Sequence, residues 1–136
     1  MDCVFCRIVA GELPAHKVYE DDDVLAFMDI QPITRGHALL IPKPHHASLL
    51  ETPAHVLAKI TAIMPQVCQA VVRGTGAEGF NILQSNGACA GQVVGHIHFH
   101  IVPRKTGDGI GLGFRHHPPV KDDLARTAQE IRSALT

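Results

Sequence analysis

Gly95-His96-Ile97-His98-Phe99-His100-Ile101-Val102-Pro103-Arg104, or GHIHFHIVPR, sets three imidazoles in strict alternation with apolar side chains. Successive residues of a strand point to opposite faces. The pattern therefore predicts a strand that turns Ile97, Phe99 and Ile101 to the core and His96, His98 and His100 to the other face. Residues two apart on a strand lie roughly 6.5–7 Å apart at Cα, so neighbouring imidazoles can converge on one phosphate or one metal ion. By itself the array reads as metal ligands, as a catalytic set or as a wet polar face. Three alternating histidines, bounded by Gly95 and by Pro103-Arg104, weigh against the last.

Upstream lies a loop of small residues, Asn86-Gly87-Ala88-Cys89-Ala90-Gly91, whose backbone amides could approach an anion closely. Before it, Phe80–Leu83 has strand length. The apolar positions Val56, Leu57, Ile60, Ile63, Met64, Val67 and Val71 recur at helical spacing and predict one long helix with a buried stripe. Thr52-Pro53 reads as its start, a capping hydroxyl followed by proline at the first helical position, and Gly74 and Gly76 end it. Pro65 inside the run should kink it. Towards the N-terminus, Lys17–Glu20, Val24–Met28 and His37–Ile41 read as strands, and Val4–Ala10 as a short helix stopped by Gly11 and Pro14. After Arg104 the tail to Pro119 is Gly- and Pro-rich and reads as irregular. Leu124, Ala128, Ile131 and Leu135 then predict a short amphipathic helix docking its apolar face. The order of elements gives an α+β fold, with a mainly antiparallel sheet of about five strands, one long helix and short terminal helices.

The 136 residues suit a single domain, with the motifs confined to 3–104 and a C-terminal extension over 105–136. At 46% hydrophobic and 18% charged residues, the composition is that of an ordinary globular protein. A net charge of -1 offers no basic stripe for nucleic acid and does little to oppose self-association. No window approaches the roughly 20 apolar residues of a membrane span. The N-terminus lacks the charged and apolar regions of a signal peptide, which points to the cytoplasm and to cysteines that are free or metal-bound rather than paired.

Taken together, His96-Ile97-His98-Phe99-His100-Ile101-Val102 resembles the His-apolar-His-apolar-His-apolar-apolar signature of the histidine triad (HIT) superfamily. Asp29-Ile30, Gly36-His37, Ile41-Pro42-Lys43 and Ala90-Gly91-Gln92 stand in the matching order. The chain looks closest to the bacterial, Hint-like branch. The resemblance implies hydrolysis or transfer at the α-phosphate of nucleoside phosphoramidates or related purine nucleotides. His98 would be the nucleophile and form a covalent nucleotidyl-imidazole. His100 would contact the α-phosphate and leaving group, and His37 would support, so that with His96 the catalytic set is four histidines. Imidazole suits this role because much of it is neutral and nucleophilic near pH 7. One ring nitrogen attacks only while the other carries the proton, so a carbonyl or neighbour must fix the tautomer.

The resemblance further implies that Asp29 holds the ribose hydroxyls, although the same carboxylate could simply cap the turn at Pro32. Val4, Phe5, Ile8, Leu13, Phe27 and Ile30 would wall the base, with Ser85, Asn86, Gly91 and Gln92 near the phosphates. At Val93, many Hint relatives carry a serine that assists the leaving group. Cys3 and Cys6, spaced C-x-x-C, would join His45 and His96 in a structural zinc site, with His46 able to replace His45. Catalysis itself would need no cofactor, and the chain would form a homodimer. Two other readings stay open: a metal-dependent hydrolase whose triad, completed by His37, holds a catalytic metal, and a nucleotide-binding regulatory protein with little turnover.

Overall fold

The computed structural model describes residues 2–114 and 117–135. Five strands form one antiparallel sheet: β1 (Lys17–Glu20), β2 (Val24–Met28), β3 (Ala38–Pro42), β4 (Gly79–Leu83) and β5 (Phe99–Arg104), in the order β1-β2-β3-β5-β4. Three α-helices accompany them: α1 (Val4–Val9), α2 (Ala54–Thr75) and α3 (Leu124–Ala134). The α+β fold with a five-stranded antiparallel sheet and one long helix is the one the sequence predicts.

The continuous apolar runs of β2 and β3 are explained by burial on both faces. On one face, Val24, Ala26, Ala38, Leu40 and Ile101 pack with Val56, Ile60, Val67, Cys68 and Val71 of α2. On the other, Leu25, Phe27, Leu39 and Ile41 pack with Phe5 and Ile8 of α1 and with Cys3, its N-cap. Alternation along each strand thus feeds two apolar clusters instead of one core and one wet surface. Because Leu39 stands opposite His100 in the β3–β5 ladder, His100 belongs to the α1 face.

Several sequence expectations are corrected here. The ladder of β5 begins at Phe99, so His96 and His98 sit in the segment leading into it. Likewise His37 precedes β3. Pro53, not Thr52, occupies the cap position of α2; the Thr52 hydroxyl instead donates to Ser48 O at 2.7 Å and closes the turn Leu49–Glu51. Helical backbone includes Pro65, an exposed position, and runs past Gly74 to Thr75, with Gly76 as its cap. Contrary to the span reading, α2 is long and apolar enough to cross a membrane by length and composition. In this fold it is the core helix.

The largest correction concerns α3. The helix forms, with Asp123 accepting from Arg126 N at its start, but its apolar stripe does not dock. Leu124, Ile131 and Leu135 are all exposed. Periodicity predicts a helix with an apolar face, but it carries no information on whether a landing surface lies within reach. Part of the expected irregular tail, 115–116, lies outside the described residues. Nearer the sheet the tail is fastened, because Arg104 makes a two-point ion pair with Asp108 and bonds to Asn81 Oδ1 and Ile110 O.

Gly36 makes the turn into the site possible. Its φ is +95°, and a Cβ there would collide with the Thr75 side chain of α2.

Candidate active site

The three triad histidines lie on the α1 face, under Phe5. Phe5 meets His98 edge-on at 5.2 Å between ring centroids and His96 at 5.9 Å, and His98 stands 5.0 Å from His100. His96 is fully buried and His98 is 6% exposed, so this face is roofed and not wet. Burying polar rings in this way requires partners for their nitrogens, and the partners define the chemistry.

His98 Nδ1 lies 2.7 Å from His96 O. A carbonyl only accepts, so Nδ1 carries the proton and Nε2 keeps its lone pair. His96 is held the opposite way round: Nε2 donates to Pro42 O at 2.8 Å, which leaves the Nδ1 lone pair facing the cysteines. His37 Nδ1 accepts from Ile33 N at 3.2 Å, and His37 Nε2 lies 2.9 Å from His100 Nδ1. Asp29 takes the turn role considered for it with one oxygen and faces two histidines with the other. One oxygen accepts from Gln31 N and closes the turn, and the other lies 3.5 Å from His37 Nε2 and 4.0 Å from His100 Nδ1.

Burial, and then the neighbouring imidazoles His98 and His37, press the His100 pKa down to about 4, against the pull of Asp29. Burial likewise lowers His37. Both are neutral at pH 7. A histidine whose folded pKa lies below its unfolded value near 6.5 favours the folded state fully above that value and loses this stabilisation as pH falls from about 6.5 towards 4. Unfolding by urea in the presence of a chelator should therefore show a loss on the order of 2 kcal/mol between pH 7.5 and 4.5. His100→Asn should flatten that slope, and an unchanged slope would refute the assignment.

Cys3, Cys6, His45 and His96 place one ligand atom each within 4.8 Å of all the others. The Sγ to Nδ1 separations are 3.5 Å for Cys3–His96, 3.6 Å for Cys6–His96 and 3.3 Å for Cys6–His45. A tetrahedral ion with bonds of about 2.3 Å to sulfur and 2.0–2.1 Å to nitrogen puts such atoms about 3.5 Å apart. Two thiols and two imidazole lone pairs at that spacing fit a closed Cys2His2 site. His46 is not part of this cluster; its carbonyl accepts from Ile97 N. Asp29, His37 and His100 form a second such group of potential ligands, which does not include His98.

Of the other residues singled out by sequence, Phe5, Ile8 and Phe27 are core, Leu13 packs against them partly buried, and Val4 is 41% and Ile30 88% exposed. Gln92 ties its loop to a distant segment, donating to Ala47 O and Val94 O and accepting from Gly87 N. The amides of Ala90, Gly91 and Gln92 also bond inside the loop. Asn86 Oδ1 accepts from Leu49 N, and its amide pairs reciprocally with Gln84. Ser85 is half-buried, and its carbonyl accepts from Gln84. Val93 is 93% exposed. Sequence reasoning missed Ile33, which acts through its backbone, and Gln84, which carried no motif.

Residues 10–107 match the family model described as HIT domain, and the chain belongs to that family. It is 50% identical over 107 residues to the adenylylsulfatase HINT3 of Arabidopsis thaliana, a match that takes in 79% of this chain but only 54% of that longer protein. It is 39% identical to the adenosine 5'-monophosphoramidase hnt1 of Schizosaccharomyces pombe, over 99% of both. The solved structure of a Zn-bound histidine triad family protein from Mycobacterium smegmatis superposes with a TM-score of 0.76 at 41% identity, covering 99% of each chain.

Proposed function

We propose that this chain is a nucleotide hydrolase or transferase acting at the α-phosphorus of purine nucleoside phosphoramidates and related nucleotides. The observation that carries this is the His98 ring, with Nδ1–H fixed on His96 O and the Nε2 lone pair free beside neutral His100. The lone pair attacks phosphorus, a P–Nε2 bond forms, and the bond to the leaving group breaks with its electron pair going to that group. The leaving nitrogen is protonated from solvent and departs as the amine. Water then attacks the nucleotidyl-imidazole, the P–Nε2 bond returns its pair to the ring, and the nucleoside monophosphate leaves. Dividing one displacement into two lowers each barrier. The phosphoramidase and sulfatase names of the relatives agree with this chemistry.

In this reading Asp29 receives the ribose, and the exposed Ile30 side chain covers one side of the base, with Phe5, Ile8, Phe27 and Leu13 behind it. Ser85, Asn86, Gly91, Gln92 and Val93 border the phosphates and leaving group. The Cys3–Cys6–His45–His96 cluster takes structural zinc, as the Zn-bound relative supports. A metal-dependent mechanism is less well matched, since the facing nitrogens of His37 and His100 are at hydrogen-bond distance and His98 stands outside that group. A homodimer would cover the edge strand β4, where Phe80, Ile82 and Leu83 are exposed. The free thiols suit a reducing compartment such as the cytoplasm.

Mass spectrometry of protein quenched during turnover of an adenosine phosphoramidate tests the reading. A nucleotidyl adduct on the peptide bearing His98 is expected, and an adduct on any other residue refutes it. Val93→Ser should raise kcat/KM on the phosphoramidate about tenfold, by supplying a donor to the leaving nitrogen. At so exposed a position it should change stability by less than about 0.5 kcal/mol. An unchanged kcat/KM would show that Val93 lies away from the leaving group.

A further inference from the structure

The geometry points to the backbone amide of Ile33 as the positioning group that decides which way protons lie in the His37–His100 pair. Two neutral imidazoles sharing one hydrogen bond have two possible arrangements. Either His37 Nε2–H donates to His100 Nδ1, or His100 Nδ1–H donates to His37 Nε2. The 2.9 Å separation accommodates both. The second requires His37 to carry its own proton on Nδ1. That nitrogen faces Ile33 N–H at 3.2 Å, so two donors would oppose each other. An amide never accepts, and the second arrangement is therefore blocked.

The first arrangement leaves His100 Nδ1 as an acceptor and places its proton on Nε2. His100 then offers a fixed N–H to whatever lies beyond it. The turn that carries Ile33 is secured by a further bond, His37 N to Thr34 O at 3.1 Å, so donor and ring are held by the same few residues. Asp29 at 3.5 Å from His37 Nε2 favours the same proton position but does not face Nδ1. The depressed pKa values of both rings agree with a pair of neutral imidazoles at pH 7. The tautomer assignment stands without any substrate; its consequence for turnover rests on the function proposed above, with His100 Nε2–H donating to the α-phosphate oxygens beside His98 while the leaving nitrogen takes its proton from solvent.

The test is long-range 1H–15N correlation on zinc-replete protein labelled with 15N-histidine at pH 7.5, which distinguishes protonated from unprotonated ring nitrogens. His37 and His100 should each show an unprotonated Nδ1 and a protonated Nε2. Ile33→Pro removes the donor at a side chain that is 46% exposed. Should that variant fail to fold, exchanging Ile33 for its α-hydroxy acid removes the N–H alone. Either change should mix or reverse the tautomers at both rings and lower kcat about tenfold, with KM within twofold. A wild-type His37 protonated at Nδ1 would overturn the assignment, as would tautomers indifferent to loss of the Ile33 amide. So would reversal in Asp29→Ala with none on removal of the amide. Tautomers that shift while kcat stays constant would overturn the donor role of His100 and leave the amide assignment standing.

Discussion

His98→Ala should lower phosphoramidate hydrolysis by about 10⁴-fold, equivalent to about 5.4 kcal/mol of transition-state stabilisation. The magnitude follows from losing the attacking atom, since among the described residues no side chain close to His98 can take its place. The His37 and His100 nitrogens that face each other share a proton, and His96 turns its lone pair towards sulfur. The variant also removes a ring packed edge-on against Phe5, so it should lose some stability, and circular dichroism must show that it remains folded. Added imidazole should restore part of the rate by entering the vacated space. Activity within tenfold of wild type would end the nucleophile assignment, whatever the state of the metal site.

The second large effect is on stability. Zinc at Cys3, Cys6, His45 and His96 would tie the N-terminus to the segment bearing His98. Any ligand that binds only the folded chain stabilises it by mass action, about 4 kcal/mol at a thousandfold excess over its dissociation constant. Thermal unfolding with zinc should therefore lie well above that with chelator. Cys6→Ser and His45→Ala should each abolish most of the difference, and His46→Ala should leave it intact. Burial and the neighbouring Cys3 thiol raise the Cys6 pKa, so without a cation Cys6 is held as the thiol and not as a reactive thiolate. Equal melting temperatures with and without zinc would refute the site.

How much of this could be read from the chain depends on the distance over which each decision is made. The triad was legible because a two-residue period is local, and so were β2 and α2. The burial of His96 was not, since it depends on Pro42 O and on cysteines about ninety residues away. The role of Ile33 was invisible for a different reason: its amide is common to every residue but proline, and only the fold aims it at His37. Thr52 misled because its hydroxyl had two acceptable partners, and the nearer turn took it. The undocked α3 shows a pattern read correctly as a helix and wrongly as a contact.

From Lys105 to Leu135, no described residue is buried. Beyond the Arg104–Asp108 fastening, the described residues form a handle and not another layer of the body. A fluorophore or affinity tag joined after Ala134 would follow a helix whose apolar side chains are exposed. One joined at the N-terminus would sit beside Cys3, at the edge of the metal ligands. The exposed helix α3 is the part by which to hold this molecule while its chemistry is watched.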